Sequence, residues 1–137
     1  MADPSLAVHG AIYTALGGAA GLTINGSPGT AVKVWDRVPP GSAKPYVTID
    51  SQFANDADFL NSRMDERTVY LNVWSTYKGQ KEVLDIMAEI DRLLHNQRLT
   101  MSTGTMIVCR VKRKRTSREP DNETFMGQVT LRILTQH

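Results

Sequence analysis

The sequence has little of what a secreted, membrane-spanning or metal-binding protein requires. It contains a single cysteine, Cys109, so no internal disulfide can form and a reducing compartment is indicated. It has no apolar run of roughly eighteen residues, so we expect no transmembrane helix and no membrane partner. The three histidines His9, His95 and His137 lie far apart and show no metal-ligand spacing. The sequence therefore predicts neither a bound metal nor a cofactor.

Recognisable catalytic constellations are missing as well. Cys109 alternates with apolar Ile107 and Val111, which predicts a buried thiol and not a nucleophile. The glycine-rich segment 17–21 lacks the Gly-Lys-Ser/Thr ending of a phosphate-binding loop. One group of acids lacks the spacing of a calcium loop and is better interpreted as a solvated acidic loop: Asp56, Asp58, Asp65 and Glu66. We expect that the protein is not an enzyme.

The size and composition are those of an ordinary globular domain. The chain has 137 residues, of which 41% are hydrophobic and 22% charged. A chain of this length can bury a core without disulfides or metals. We therefore expect a single domain that spans residues 1–137.

Apolar periodicity predicts two helices. The first begins at Asp3-Pro4, where Asp can cap a helix and Pro suits its first position, and it ends before Gly17. The second runs from Lys78 to Leu94 and carries one continuous apolar stripe: Val83, Ile86, Met87, Ile90, Leu93 and Leu94.

Alternating and β-branched segments predict six strands, three before the second helix and three after it. Two intervening segments, 17–30 and 54–61, are rich in small or polar residues and are predicted loops. The resulting order, α-β-β-β-α-β-β-β, predicts an α+β fold in which an antiparallel or mixed sheet packs against two helices. The predicted strands are 32–35, 46–53, 68–77, 98–101, 106–115 and 123–135.

The strongest chemical feature is a basic run at residues 110–118. It holds six of the sixteen Lys and Arg residues and no acid, so the remainder of the chain carries a net charge of −4. One interpretation is a solvated edge strand whose charges prevent edge-to-edge aggregation. The other is a surface for nucleic acid or for an acidic protein partner.

We favour the partner surface, because like charges this close together repel one another unless a partner neutralises them. Alternation predicts that Arg110, Lys112 and Lys114 face outward in a row, and the absence of interleaved aromatics argues against stacking on single-stranded bases. Contacts with nucleic acid would then be to phosphates. The candidate partner- or DNA-facing residues are Arg110, Lys112, Arg113, Lys114 and Arg115.

Several segments resemble the tail terminator, or tail completion, family of long-tailed phages and gene transfer agents. They are the opening helix Met-Ala-Asp-Pro-Ser-Leu-Ala-Val-His-Gly-Ala-Ile-Tyr, the segment Val34 to Gly41, the segment Lys44 to Ile49, and Val69 to Ser75 with the long helix that follows. Together they cover nearly the whole chain. These motifs are structural and not catalytic.

The resemblance implies a virion structural protein, assembled in the cytoplasm of a bacterial host. Such subunits are expected to form a ring, usually hexameric, at the head-proximal end of the tail. The ring would stop polymerisation of the tail-tube protein, dock the head-connector (stopper) protein and let DNA pass through its channel. We predict that one turn contributes to subunit contact: Asp36, Arg37, Pro39, Pro40 and Gly41. The alternative is a small nucleic-acid-binding module that uses residues 110–118.

Overall fold

The computed structural model of the chain describes residues 5–16, 22–23, 31–35, 40, 46–56, 58, 63–75, 81–118 and 124–136. Two helices and six strands lie in these ranges. In chain order they are α1 (Ser5–Ala15), β1 (Leu22–Thr23), β2 (Ala31–Trp35), β3 (Tyr46–Asp56), β4 (Met64–Ser75), α2 (Lys81–Leu94), β5 (Thr105–Arg118) and β6 (Phe125–Gln136).

The strands form one mixed sheet in the order β1-β2-β3-β4-β6-β5. Strands β2 and β3 are parallel, whereas the other neighbouring pairs are antiparallel. The last strand, β6, inserts between β4 and β5, so the chain passes over that position through α2 before β6 fills it. Strand β5 is consequently at one end of the described sheet, although it is not the last strand in the chain.

Both helices pack on the same face of the sheet, which we call the helix face. Along β4 and β6, alternate residues turn toward the helices, among them Val69, Leu71 and Leu131, each at most 1% exposed. The apolar stripe of α2 is buried on this face as predicted, and α1 contributes Val8 and Ile12. Burial of these side chains is the main stabilising term of the fold.

Helix α2 approaches β6 closely at Gly127. A Cβ atom at this position would lie 2.6 Å from Val83 Cγ1 and 2.8 Å from Met87 Sδ, both on α2. These distances are shorter than carbon and sulfur atoms tolerate, so the absence of a side chain sets the spacing between this helix and the sheet.

The predicted α+β class with two helices is confirmed, but the predicted strand order is wrong. Four strands precede α2 and two follow it, because Leu22–Thr23 forms a short strand and residues 98–101 do not form one. Asn96 adopts a left-handed conformation with φ 58°, which ends the helix and turns the chain toward β5. Leu99 and Met101 then pack against the core from an irregular segment.

The predicted loop at 54–61 is also partly wrong, because β3 continues to Asp56 and β4 begins at Met64. Two side chains stabilise the end of this hairpin. Asp56 Oδ1 accepts the Asp58 N–H at 2.9 Å, and Asp58 Oδ1 accepts the Met64 N–H at 3.0 Å. The polar composition of these residues did not indicate a strand. The strands nevertheless continue here, because backbone hydrogen bonds between strands do not require apolar side chains.

Candidate functional site

Strand β5 carries the basic run and pairs with β6 along its whole length. The residues that follow α2 form hydrogen bonds with the first half of its outer edge. The Asn96 N–H donates to the Cys109 carbonyl oxygen at 2.8 Å, and the Val111 N–H donates to His95 Nδ1 at 3.1 Å. Beyond Val111, no strand among the described residues pairs with the outer edge of β5.

Two irregularities in the β5–β6 register change the direction of the basic side chains. The register shifts between Met106 and Val108 and again between Val111 and Arg113. Lys112 is the extra residue of the second shift, which is a β-bulge. A bulge adds one residue to one strand and therefore reverses the alternation of faces after it.

The predicted outward row of Arg110, Lys112 and Lys114 is consequently wrong. Lys114 pairs with Val129 and faces the helices, where its Nζ lies 2.6 Å from Asp91 Oδ2 of α2. This ion pair is partly exposed and contributes at most about 1 kcal/mol. The sequence pattern assumed unbroken alternation, and only the bulge at Lys112 breaks it.

The bulge instead aligns three arginines on the face opposite the helices, which we call the open face. Arg110, Arg113 and Arg115 pair with Arg132, Thr130 and Gln128 of β6, and paired residues share a face. All three are exposed, and no ion pair joins them to the described part of the chain. They form a row of positive charge along one side of this face.

The rest of the open face is polar with a few aromatics. Trp74 Nε1 donates to Thr48 Oγ1 at 3.3 Å, and Gln128 Nε2 donates to Asn72 Oδ1 at 3.3 Å. The Phe53 ring lies 6.2 Å from the Tyr70 ring, between centroids. Neither described helix packs on this face. Its hydroxyl and amide groups suit contact with water or with a polar partner.

The four acids that were considered as a cation site form hydrogen bonds and ion pairs within the fold. Asp65 Oδ2 lies 3.1 Å from Arg67 Nη2, and Glu66 Oε1 lies 3.0 Å from Arg132 Nε. Across the described ranges, no three His, Cys, Asp or Glu side chains are grouped so that they could hold a metal ion.

Arg67 is a buried cation that the sequence reasoning missed. It is 1% exposed and donates to Thr135 Oγ1, Ser5 Oγ, Gln52 Oε1 and Asp65 Oδ2 at 2.7–3.2 Å. These bonds join α1 to β3, β4 and β6. The sequence contains a signal for this burial. When the alternation of faces predicted for the strand is continued by two residues toward its N-terminal end, Arg67 falls on the helix face.

Cys109 is buried as predicted, with 1% of its surface exposed. Burial raises the pKa of its thiol from 9.0 to about 11, because the thiolate would lose its hydration. At neutral pH the sulfur is therefore protonated and enclosed, which disfavours nucleophilic chemistry.

The predicted contact turn lies almost wholly outside the described residues. Of Asp36, Arg37, Pro39, Pro40 and Gly41, only Pro40 is described, as an exposed residue in a turn. Its role in subunit contact stays a prediction.

Neither described helix is long and apolar enough to cross a bilayer.

Comparisons with known proteins identify the architecture. A family model described as "Tail completion protein gp17" matches residues 10–136. The fold is similar to that of a chain in the solved virion of a native gene transfer agent particle, with a TM-score of 0.82, 19% sequence identity and all of both chains covered. At this identity the structural likeness shows the fold. No curated protein matches the sequence.

Proposed function

Because the chain belongs to the family of tail completion proteins gp17, we propose that it forms a ring at the head-proximal end of a phage or phage-like tail. There it ends polymerisation of the tail tube and joins the tail to the head. Family membership by itself shows that the protein is a structural component of the virion tail. The family match over residues 10–136 is the observation that carries the proposal.

The proposed action is mechanical. One surface of the ring binds the last ring of tube subunits, and the opposite surface differs from that of the tube, so further tube subunits find no matching face. A head-to-tail contact between subunits closes on itself when the rotation per subunit divides a full turn. The partners are then tail-tube protein on one side and the head-connector (stopper) protein on the other. A buried, protonated Cys109 supports a structural role over a catalytic one.

DNA that passes through the ring is the proposed third partner. The observation that favours it is the alignment of Arg110, Arg113 and Arg115 on the open face. A row of arginines along a polar sheet contacts phosphates without reading sequence, which suits DNA that must slide. The same row would serve the alternative function, a stand-alone nucleic-acid-binding module at residues 110–118.

The test of the ring and of tube termination uses purified protein and purified tail-tube protein. Light scattering over a concentration series should give a discrete oligomer of roughly six subunits, alone or on tube ends. Tubes grown with the protein should be shorter and capped at one end in negatively stained micrographs. An unrelated protein of similar mass and charge is the control. A monomer under every condition, with unchanged tube length, would contradict the proposal.

A further inference from the structure

A pocket of about 240 Å³ lies beside the outer edge of β5, at the turn that follows α2. This volume is smaller than that of pockets for drug-sized ligands, which measure roughly 300–1,000 Å³. The pocket therefore suits a small chemical group. Its described lining residues come from the turn and from the strand: Asn96, Gln97, Arg98, Ile107, Val108, Cys109 and Arg110.

Two features of the backbone fix the walls of this pocket. The Asn96 N–H donates to the Cys109 carbonyl oxygen at 2.8 Å, which holds the turn against the strand. Ile107 is the extra residue at the first register shift of β5, and such a bulge bends its strand locally and redirects side chains. The walls are thus in place before a ligand arrives, and this preorganisation reduces the entropy that binding would cost.

The described lining of the pocket carries positive charge and no negative charge. Arg98 and Arg110 are both exposed, and no ion pair joins either of them to the described part of the chain. The half-buried side chains of Ile107 and Val108 contribute apolar wall. A cleft with charge of one sign and apolar walls concentrates the electric field inside it. An anion in the pocket would therefore be attracted by both guanidinium groups.

The residue opposite Arg110 on β6 adds a further positive charge. Arg110 pairs with Arg132, and like charges directly opposite each other on neighbouring strands repel. Arg132 is neutralised by Glu66, whose Oε1 lies 3.0 Å from its Nε. Arg110 has no such counter-ion among the described residues. An anion bound between Arg110 and Arg98 would relieve this repulsion.

Phosphate is the anion that this lining fits best. Arginine forms bidentate hydrogen bonds with phosphate oxygens, and the side-chain amides of Asn96 and Gln97 can donate to the same group. Arginine binds carboxylates in the same way, so the surroundings decide between the two. Arg110 is the first residue of the row that continues with Arg113 and Arg115 on the open face. The pocket extends this proposed DNA surface to the edge of the sheet, which favours a phosphate.

We propose that the pocket binds one phosphate group of the DNA backbone, with Arg98 and Arg110 as its two cationic ligands. The inference rests on the proposed DNA contact, and it adds to that surface a residue, Arg98, that lies outside the basic run. Each subunit then holds the backbone at one defined point without reading the base sequence.

Duplex binding by substituted chains tests the pocket. Arg98→Gln removes one charge from the lining, and Arg98→Lys keeps the charge but not the bidentate geometry. The matched control is Arg63→Gln, which removes the same charge from an exposed arginine that precedes β4 and is not among the lining residues. Fluorescence anisotropy of a short labelled duplex over a salt series measures each dissociation constant, and circular dichroism verifies each fold.

Arg98→Gln should weaken duplex binding by about tenfold and reduce the slope of log K against log salt by about 1. Arg63→Gln should leave both quantities as in the wild type, and Arg98→Lys should keep the slope but lose part of the affinity. Because the two arginines bind one phosphate, Arg98→Gln combined with Arg110→Gln should lose less affinity than the product of the two single losses.

Inorganic phosphate distinguishes the two possible sources of the ligand. At equal ionic strength, phosphate in place of chloride should raise the denaturation midpoint more for the wild type than for Arg98→Gln, because a ligand of the folded state stabilises it. If this difference is found but Arg98→Gln binds duplex as the wild type does, DNA is overturned as the source and the pocket takes free phosphate.

Other results would also overturn the inference. Equal losses in Arg98→Gln and Arg63→Gln, or single losses that multiply in the double variant, would contradict a shared pocket while the DNA contact stands. Normal duplex binding by Arg98→Gln with weakened binding to tail-tube protein would assign the pocket to a carboxylate of that partner. A wild-type protein that binds no duplex at low salt would overturn the DNA contact and the pocket together.

Discussion

Individual residues decide where the charges of this protein are displayed. Lys112 adds one residue to β5, and the three arginines beside it therefore gather on the open face while Lys114 turns toward α2. Arg67 does the reverse, since its charge is removed from the surface and satisfied by four acceptors on four elements. The position of a cation in the strand thus determines whether it supports the fold or lies exposed on the open face.

Cys109 gives a prediction at the residue scale. Burial raises the thiol pKa from 9.0 to about 11, so the unfolded chain loses this proton at lower pH than the folded chain. The contribution of the protonated thiol to the free energy of unfolding is therefore fully present below pH 9 and is lost as the pH rises toward 11. Across that interval the free energy of unfolding should fall by about 2 kcal/mol more for wild type than for Cys109→Val. Urea unfolding at steps between pH 8 and 11 measures the difference, and parallel curves would contradict it.

At the scale of elements, the contact between α2 and the sheet depends on shape as much as on hydrophobicity. The helix lies over β6, where Gly127 leaves room for Val83 and Met87. The C-terminal end of α2 is held by hydrogen bonds, because Asn96 and His95, which follow the helix, bond to the outer edge of β5. The helix, its following turn and the edge strand consequently form one unit beneath the basic surface.

Two glycine substitutions test this packing. Gly127→Ala should lower the free energy of unfolding by about 1–3 kcal/mol, because the new methyl group overlaps Val83 and Met87 and the helix must shift. Gly10→Ala in α1 is the matched control. No atom lies within 4 Å of the added Cβ there, and alanine should stabilise the helix by up to about 1 kcal/mol. Denaturant midpoints measure both, and equal effects of the same sign would contradict the close approach at Gly127.

At the scale of the whole molecule, the small net charge of +2 conceals a strong asymmetry. Positive charge lies along β5 and the adjoining strip of the open face, whereas the exposed part of β3 carries Asp50 and Asp56 and no base. Such a concentration of charge of one sign attracts polyanions, which supports the proposed DNA contact.

The DNA contact is tested by the salt dependence of duplex binding. Arg110 is exposed on the open face, so Arg110→Gln should weaken binding and reduce the slope of log K against log salt by about 1. Lys81→Gln on α2, where the side chain is 77% exposed, should leave the slope unchanged. Absence of binding at low salt, or an equal loss in both variants, would contradict a DNA-facing role for the open face.

Local sequence was sufficient for the features that depend on burial alone. The apolar stripe of α2, the alternation of Val69, Leu71 and Val73 and the buried Cys109 were all predicted, because side-chain periodicity reports which face meets the core. The basic run and the family resemblance also come from the sequence. Fold class and the virion tail role follow from these observations together with the family match.

Tertiary structure decided what depends on long-range pairing. Three features join distant parts of the chain. They are the insertion of β6 between β4 and β5, the bulge at Lys112, and the bonds of His95 and Asn96 to the outer edge of β5. No local pattern encodes them, because each depends on a contact between segments that are far apart in the sequence. The sequence by itself determined that the protein carries a concentrated positive charge. Only the packed sheet decided which cations lie exposed on the open face and which bond to the rest of the chain.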